Sequence, residues 1–376
     1  MKILYSCLSK SWGGMEMVTL TGIKQLLKHK IDVQLLCAEE SRLQIEANNL
    51  GIIIHSIRVG SFSSPLNVFK VFSLLKTENY DIIHTHASKD LWLIVPALKL
   101  IKRKAILILT KHVGSFVVKK DFLHNWIYNR VDKAIAISSV IKKNLMDTTS
   151  LTKDKIEIIF NGVDTKIFNP DLTDKEKLRN ELKVGNDEIL IGMTARFSPG
   201  KGHEEFISAA AELSKKYNNL KFIVVGEASR GENEYAEKIK MLASEFKLNN
   251  LYFIGYRTDI PEVLAALDIF VFPSHAEAFG IALIEAMSMS KPSVCSGSDG
   301  VLDIAFDNQT SYLFKVKDAE DLKNKLEKLI IDSKQREKFG TAARKRVLEL
   351  FDLEKVTNKT ILLYKKLIEE NNESIN

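Results

Sequence analysis

Short runs of β-branched and other apolar residues alternate with amphipathic stretches along most of this 376-residue chain, and this alternation limits the possible fold more than any other feature. In the first half, the predicted strands cover residues 2–6, 32–37, 52–57, 81–84, 105–109, 133–137 and 156–160. The predicted helices between them include residues 17–27, 67–76, 91–100 and 139–146. Such strand–helix alternation is typical of a doubly wound parallel sheet.

The alternation pauses at residues 161–170, where Asn-Gly and Asn-Pro pairs favour turns, and then it resumes. The second series of predicted strands covers residues 189–194, 221–225, 251–254, 269–272, 292–296 and 312–314, and helices follow at 319–331, 333–347 and 353–369. The length also suits two domains better than one. We therefore predict an α/β fold with two Rossmann-like domains, residues 1–165 and 166–352, facing across a cleft.

Composition excludes several classes of protein. With 45% apolar and 27% charged residues, the chain has ordinary globular composition. No apolar run is long enough to span a bilayer, and the N-terminus lacks the apolar core of a signal peptide. The three cysteines, Cys7, Cys37 and Cys295, lie in apolar runs, so we expect reduced core residues of a cytoplasmic protein.

Charge is divided unevenly along the chain. Residues 1–170 contain 24 basic and 14 acidic residues, whereas the rest is net acidic. No nucleic-acid-binding motif is present. The basic half therefore indicates an anionic membrane surface or a phosphorylated acceptor, and the alternative is a solvated basic face. The residues concerned are Lys102, Arg103, Lys104, Lys111, Lys119 and Lys120, with the aromatic residues Trp92, Phe116, Phe122 and Trp126 among them.

Two glutamates eight residues apart, Glu277 and Glu285, follow the predicted strand 269–272. Glu277 should lie in the loop after that strand, and Glu285 about one turn into the next helix. Loops at the carboxyl ends of parallel strands, followed by a helix N-terminus, commonly bind phosphates. Because carboxylates suit hydroxyl groups instead, the expected ligand is a diphosphate flanked by two polyols, which describes a nucleotide sugar.

A cationic, glycine-containing segment lies between the strand 189–194 and the following helix, with the sequence Thr194-Ala-Arg-Phe-Ser-Pro-Gly-Lys-Gly-His203. Arg196 offers a planar fork and Lys201 a point charge, and both bind phosphate oxygens well. The alternative is a glycine turn with surface cations. We expect a diphosphate clamp, because the acidic pair lies on a strand-end loop of the same half.

These segments resemble the retaining glycosyltransferases of family 4, which have the two-Rossmann-domain (GT-B) fold. The resemblance covers nearly the whole chain and is strongest over residues 189–300, where Glu277 and Glu285 match the family's E-x7-E pattern. The Arg196–Lys201 segment is similar to G-R-x-x-x-x-K-G, with Ala195 in place of glycine. A second departure, Ala228 after Val225-Gly226-Glu227, puts the ligand contact of that loop in doubt. The resemblance also implies that the last helix, in residues 353–376, packs back on the first domain.

The resemblance implies roles for individual residues. Glu285 would hold the ribose and Glu277 the sugar, His112 would lie against the donor sugar, and Tyr256 and Arg257 would meet the base. Catalytic residues are then His112, Arg196, Lys201 and Glu277, and further donor contacts come from Gly14, Tyr256, Arg257, Phe279, Gly280, Ile281 and Glu285. Gly13 and His86 are candidate acceptor-site residues.

His84 and His86 share one face of a predicted strand. A third ligand with matching spacing is missing from the sequence, so a metal pair is disfavoured and histidines bonded to the backbone are the alternative. Asp-x-Asp, which holds metals in the other glycosyltransferase architecture, is absent from the sequence as well. We therefore expect no metal and no cofactor, with the fixed cations stabilising the leaving diphosphate.

We accordingly predict a retaining, metal-independent glycosyltransferase that moves a sugar from a nucleotide-sugar donor to a glycan or lipid-linked acceptor, in cell-surface polysaccharide or lipopolysaccharide synthesis. It would be cytoplasmic and peripheral on the inner face of the membrane, with no nucleic-acid partner. Two alternatives remain open. One is a nucleotide-sugar 2-epimerase of the same architecture, for which Glu16 is the available base, and the other is a non-catalytic sugar-nucleotide-binding subunit.

Overall fold

The structure, a computed structural model, describes residues 1–60, 64–101, 105–229 and 231–373. The chain divides into two compact units. The first contains Met1–Asn161 together with the chain from Glu354 onward, and the second contains Gly162–Leu353. The boundaries expected from the sequence, at residues 165 and 352, lie next to these divisions.

The first unit is built on a parallel sheet of seven strands in the order β3-β2-β1-β4-β5-β6-β7. The strands are β1 (Lys2–Cys7), β2 (Asp32–Ala38), β3 (Ile54–Ile57), β4 (Ile82–Thr85), β5 (Ile106–Lys111), β6 (Lys133–Ala136) and β7 (Ile156–Ile158). The helices between them are α1 (Gly14–Lys28), α2 (Arg42–Asn49), α3 (Pro65–Glu78), α4 (Leu91–Lys99), α5 (Phe122–Tyr128) and α6 (Ser139–Thr148).

The second unit repeats this plan with six parallel strands in the order β10-β9-β8-β11-β12-β13. The strands are β8 (Ile189–Thr194), β9 (Leu220–Val225), β10 (Leu251–Phe253), β11 (Ile269–Phe272), β12 (Ser293–Ser296) and β13 (Ser311–Phe314). The helices are α7 (Glu176–Glu181), α8 (His203–Lys216), α9 (Asn233–Glu245), α10 (Ile260–Ala266), α11 (Ile281–Ser288), α12 (Val301–Ile304), α13 (Ala319–Ile331) and α14 (Ser333–Leu350). The predicted pair of doubly wound parallel sheets is thus confirmed.

The buried strands explain why the sequence alternates as it does. Every residue of β11 is buried, as expected for a central parallel strand covered by helices on both faces. Gly192 in the neighbouring β8 allows close packing, since a Cβ there would lie 2.7 Å from atoms of both Ile223 and Leu267. In each sheet the strand order reverses between two central strands, β1 and β4 or β8 and β11. Ligands of doubly wound sheets bind at the carboxyl edge of such a reversal.

The last helix, α15 (Leu353–Glu373), completes the core of the first unit. Ile361, Leu363 and Tyr364 are buried in the same cluster as residues of β1, β2 and β5. The hydroxyl of Tyr364 is hydrogen-bonded to the Tyr5 hydroxyl at 2.8 Å and to Nδ1 of His84. Segments at opposite ends of the chain therefore share one buried polar network.

In the first unit, two short helices were not predicted from the sequence. Helix α2 begins after Ser41, whose hydroxyl accepts the N–H of Gln44, and α5 begins after Asp121, whose carboxylate accepts the N–H groups of Leu123 and His124. Among the strands, β3 begins two residues later than predicted and β7 ends two residues earlier. The three cysteines are buried and free, as expected. Within the described ranges, none of the helices has the length and apolar character needed to cross a membrane.

Candidate functional site

Two loops at the carboxyl edge of the second sheet bring several predicted site residues together. They follow β8 and β11, which are paired neighbours at the reversal of strand order. The N–H of His275 in one loop donates to the carbonyl oxygen of Gly200 in the other over 2.8 Å. Gly202 has φ +79°, and a Cβ there would lie 2.2 Å from the carbonyl oxygen of Pro273. Glycine at this position lets the two loops meet.

Lys201 and Glu277 form an ion pair across these loops, with Nζ of Lys201 donating to Oε1 of Glu277. Their side chains expose only 28% and 18% of their surface, respectively. The sequence analysis gave these residues separate parts of the ligand and did not foresee their contact. In the free protein, the lysine is therefore a paired ammonium whose charge is partly neutralised.

Arg196 is held by a residue that the sequence analysis missed. Its Nη1 lies 3.4 Å from the Ser229 hydroxyl, and its Nε lies 3.7 Å from Oε2 of Glu232. A hydrogen bond from the Ser198 hydroxyl, opposed by burial and assisted by the charge of Arg196, lowers the pKa of Glu232. The guanidinium is still more than half exposed, so its fork is open to a ligand.

Glu285 lies one turn into α11, and Glu277 lies in the loop before it, both as predicted. Burial raises the pKa of the Glu285 carboxyl to about 8. Among the residues that the structure describes, no side chain or backbone group is hydrogen-bonded to this carboxyl. A partly buried carboxyl without a partner is costly in the free protein and available to ligand hydroxyls.

The N-terminus of α11 is open as well. Gly280 is the N-cap with φ +119°, and it has no side chain to cap the helix. Within the described part of the chain, the N–H groups of Ile281 and Ala282 have no hydrogen-bond partner. Such groups, aligned with the helix dipole, attract anions. Phe279 is buried and packs edge-to-face against Phe351, so only its backbone can contact a ligand.

The predicted base-site residues lie in the loop after β10. Tyr256 is largely exposed, and its N–H donates to Oε1 of Glu227 over 3.3 Å. The guanidinium of Arg257 forms a bidentate pair with Asp259 at 2.7 and 2.8 Å, and its Nη1 lies 2.9 Å from Glu181. The side chain of Arg257 is thus engaged within the protein, and a contact with a base would come from the backbone of this loop.

In the first unit, three histidines form a stacked series at the carboxyl edge of β4 and β5. The rings of His84 and His86 stack at 4.5 Å, and those of His86 and His112 at 5.3 Å. Nδ1 of His86 and Nε2 of His112 share a hydrogen bond of 3.0 Å, whereas His84 is hydrogen-bonded to Thr110 and Tyr364. His84 therefore bonds side chains instead of the backbone groups that the alternative prediction named.

The histidine rings are neutral at physiological pH. Burial, with a smaller contribution from the charge of Lys111, lowers the pKa of His112 to about 4, and burial lowers that of His84 to about 3. Burial also holds the pKa of His86 far below its ordinary value. Nε2 of His86 is buried without a partner among the described residues. In those residues, no group of three His, Cys, Asp or Glu side chains is arranged to hold a metal.

The Gly13-Gly14 pair forms the start of α1, with Gly13 as its N-cap. The buried carboxylate of Glu16 accepts the N–H of Gly13 over 2.9 Å. This contact gives Glu16 a clear role in holding the loop and the helix start. It also occupies the acid that the epimerase alternative would have needed as a base.

A cavity of about 510 Å³ opens at the carboxyl ends of β1, β4 and β5. His86 and His112 both line it, so the structure places the predicted acceptor histidine and the predicted catalytic histidine in one cavity. Gly13 and Gly14 are not part of its wall, although the next residue, Met15, is. The full lining consists of residues 8–11, 15, 59, 86–90, 111–115 and 119.

Two known families match the chain. The family described as Glycosyltransferase Family 4 matches residues 12–167, and the one described as Glycosyl transferases group 1 matches residues 174–346. Together they span most of the sequence, and each covers one of the two halves predicted from the strand pattern.

Individual proteins that the chain resembles along nearly its whole length are also glycosyltransferases. The chain is 26% identical to the capsular polysaccharide biosynthesis glycosyltransferase CapM of Staphylococcus aureus, over 93% of each chain. It is also 26% identical to the UDP-Gal:alpha-D-GlcNAc-diphosphoundecaprenol alpha-1,3-galactosyltransferase of Escherichia coli, over 96% of each. Among solved structures, a glycosyltransferase of Rickettsia africae matches with a TM-score of 0.89 and 25% identity, covering 98% of this chain and 99% of that one.

Proposed function

Since the chain belongs to the family 4, group 1 glycosyltransferases with the two-Rossmann-domain fold, we propose that it transfers a sugar from a nucleoside-diphosphate sugar to a hydroxyl of a lipid-linked or glycan acceptor, with retention of anomeric configuration and without a metal. The grouping of candidate donor-binding residues at the carboxyl edge of the second sheet supports this proposal. There the Lys201–Glu277 pair, the N-terminus of α11 and Glu285 lie on two adjoining strand-end segments.

These groups suit the parts of a nucleotide sugar. Lys201 uses one of its three ammonium hydrogens on Glu277, which leaves two for phosphate oxygens. Arg196 and the first N–H groups of α11 add further donors to a diphosphate. Among the described residues, Oε2 of Glu277 has no hydrogen-bond partner, so it is suited to a sugar hydroxyl, while Glu285 is suited to the ribose hydroxyls.

The same cations support departure of the nucleotide. Breaking the anomeric C–O bond places negative charge on the leaving diphosphate, and fixed donors stabilise this charge without moving during the reaction. In a retaining reaction on one face, an oxygen of the leaving phosphate takes the proton of the incoming hydroxyl. His112 then contributes as a neutral hydrogen-bonding group beside the sugar, because its pKa of about 4 leaves it uncharged.

The acceptor belongs, in this proposal, to the first unit. The relatives named above act, by their names, in capsular polysaccharide synthesis and on a diphosphoundecaprenol-linked sugar. We infer a comparable cell-surface glycan pathway for this chain, with uridine diphosphate as the donor nucleotide. The cavity with His86 and His112 is the proposed acceptor site.

An exposed apolar segment supports docking of the first unit on an anionic membrane at the cytoplasmic face. Phe116, Val117 and Val118 are all more than half exposed, and so are Phe122 and Leu123. The exposed Lys120 lies between these groups in the sequence. An apolar segment with adjoining lysines combines insertion with attraction to anionic lipid.

Only part of the predicted basic face lies on the described surface. Lys111 is only 8% exposed and lines the cavity, so its assignment to a membrane-contacting face was wrong. Burial at the end of β5 removes it from the surface. Lys102, Arg103 and Lys104 lie outside the described residues.

The test is a transfer assay with purified protein, a panel of nucleotide sugars and sugar-diphosphate-polyprenol acceptors. Nucleotide release that needs both donor and acceptor supports a transferase, and proton NMR of the product reports its anomeric configuration. Release or interconversion with donor alone would favour the epimerase, and tight donor binding without turnover would favour the binding subunit. Full activity in excess EDTA is expected, and loss of activity that magnesium or manganese restores would contradict the metal-independent mechanism.

A further inference from the structure

The cavity of the first unit is lined by four lysines, Lys10, Lys89, Lys111 and Lys119. Among the residues that the structure describes, none of these four forms an ion pair with a carboxylate. The acid in the wall, Asp90, faces the protein, because its Oδ2 accepts the Ser6 hydroxyl at 2.6 Å and the N–H of Leu8 at 3.1 Å. One of the four lysines is buried inside the fold.

Lys111 is the buried member. It is the last residue of β5, it is 8% exposed, and its Nζ donates to the hydroxyl of Ser88 over 3.1 Å. Burial, together with the charge of Lys119, lowers the pKa of Lys111 to about 8. The pKa of Lys119 is lowered by burial and by the charge of Lys89. The three ammonium groups thus repel one another, and no carboxylate of the described residues forms an ion pair with them.

A second observation is independent of the lysines. His86 lines the same cavity and is itself 5% exposed, and its Nε2 has no hydrogen-bond partner among the described residues. Buried polar groups and buried cations are ordinarily satisfied within a protein. Among the described residues, this cavity has lysines without a paired carboxylate and a histidine nitrogen without a hydrogen-bond partner, and both suit a polar, anionic occupant.

We propose that this cavity is a subsite for a phosphate or diphosphate group of the acceptor, bound by Lys111 with Lys89 and Lys119. This assignment rests on the proposed function and deepens it, because it names the charged part of the acceptor. A cavity of about 510 Å³ has room for a diphosphate and part of the attached group. The exposed Val113 at its wall continues into the apolar segment around Phe116, which provides a path for a hydrocarbon chain.

Binding of three probes to UDP-saturated protein tests the subsite. The probes are inorganic pyrophosphate, farnesyl diphosphate and farnesol, and saturation with UDP fills the donor site first. We expect pyrophosphate and farnesyl diphosphate to bind and farnesol to bind far more weakly. Lys111→Gln and Lys119→Gln should each weaken both diphosphates about tenfold or more, since each removes a charge-assisted hydrogen bond. The control Lys24→Gln changes an exposed lysine of α1 outside the cavity and should alter binding less than about twofold.

The outcomes separate the possible sources of the phosphate. Tighter binding of farnesyl diphosphate than of pyrophosphate identifies a lipid-linked acceptor, and equal binding identifies a soluble phosphorylated one. The subsite is overturned if both cavity variants keep wild-type affinity, or if pyrophosphate binding disappears as UDP is added. The increase in melting temperature that UDP produces distinguishes failure of the subsite from failure of the proposed function. A normal UDP shift without pyrophosphate binding removes the subsite alone, whereas no UDP shift counts against the proposed function.

Discussion

Replacing Glu285 with glutamine should stabilise the free protein and weaken its binding of UDP. The carboxyl lies in α11, partly buried and without a hydrogen-bond partner among the described residues. Glutamine has nearly the same shape but cannot ionise. The substitution therefore removes the cost of burying an ionisable carboxyl and leaves the packing intact.

The magnitude follows from the pKa of Glu285, which burial raises from 4.5 to about 8. Between these values the unfolded chain has released its proton while the folded protein retains it, so stability falls as pH rises. Each pKa unit corresponds to about 1.4 kcal/mol. The variant should thus gain about 1 kcal/mol at pH 5, and the gain should level off at roughly 3–5 kcal/mol above pH 8.

Thermal unfolding of both proteins at pH 5, 6.5 and 8.5 measures this difference. The transition to compare is the one whose melting temperature rises when UDP is added. At about 2–4 °C per kcal/mol for a domain of this size, the variant should unfold some 10 °C higher at pH 8.5. The matched control is Glu337→Gln, which changes an exposed carboxylate on α14. It should leave the melting temperature unchanged at all three pH values.

Binding of UDP gives the second half of the prediction. If Glu285 accepts the ribose hydroxyls, UDP should raise the melting temperature of the variant less than that of the wild type. A difference between the proteins that does not vary with pH, or a variant that is less stable at pH 8.5, would refute the reasoning about the buried charge. An unchanged UDP shift would refute the ribose contact.

Three further results are expected. Lys201→Ala should lower turnover at saturating donor by on the order of 10²-fold, since it removes a donor to the leaving diphosphate, and retention of most turnover would contradict that role. Glu277→Gln should spare the affinity for UDP while reducing transfer, and calorimetry that shows equal losses for UDP and the nucleotide sugar would contradict its assignment to the sugar. Binding to anionic vesicles should fall with salt, because surface charges are screened over about 8–10 Å near physiological ionic strength, and the double variant Phe116→Ser, Phe122→Ser should reduce what remains at high salt. Equal binding to neutral and anionic vesicles, or none to either, would argue against the membrane proposal.

Local sequence patterns were sufficient for the architecture. Buried parallel strands are short continuous apolar runs, and β8, β9 and β11 lie within a residue of their predicted positions because turn-forming residues bound them. The loop position of Glu277 and the helical position of Glu285 followed from the same pattern. The short helices α2 and α5 lack long periodicity, and only their caps, Ser41 and Asp121, could have revealed them.

Contacts between distant segments could not be predicted in this way. The Lys201–Glu277 pair depends on β8 and β11 being neighbours, and strand order is not encoded by the periodicity of either strand. The same holds for the pairs of Arg196 with Glu232 and of Arg257 with Glu181. Each side chain looked free in the sequence because its partner belongs to another element. The burial of Lys111 had a local cue in the sequence, because this residue ends an apolar strand. The lack of a paired carboxylate among the described residues had no such cue.

The position of α15 affects the order in which the protein can fold during synthesis. The core of the first unit includes Ile361, Leu363 and Tyr364, and these residues are synthesised only after all of Gly162–Leu353. At about 5–20 residues per second, the delay is roughly 10–40 s. During that time the nascent first sheet has an uncovered apolar strip, and Tyr5 and His84 lack their partner hydroxyl. The second unit, which is continuous in sequence, can finish folding first, although its residues leave the ribosome later.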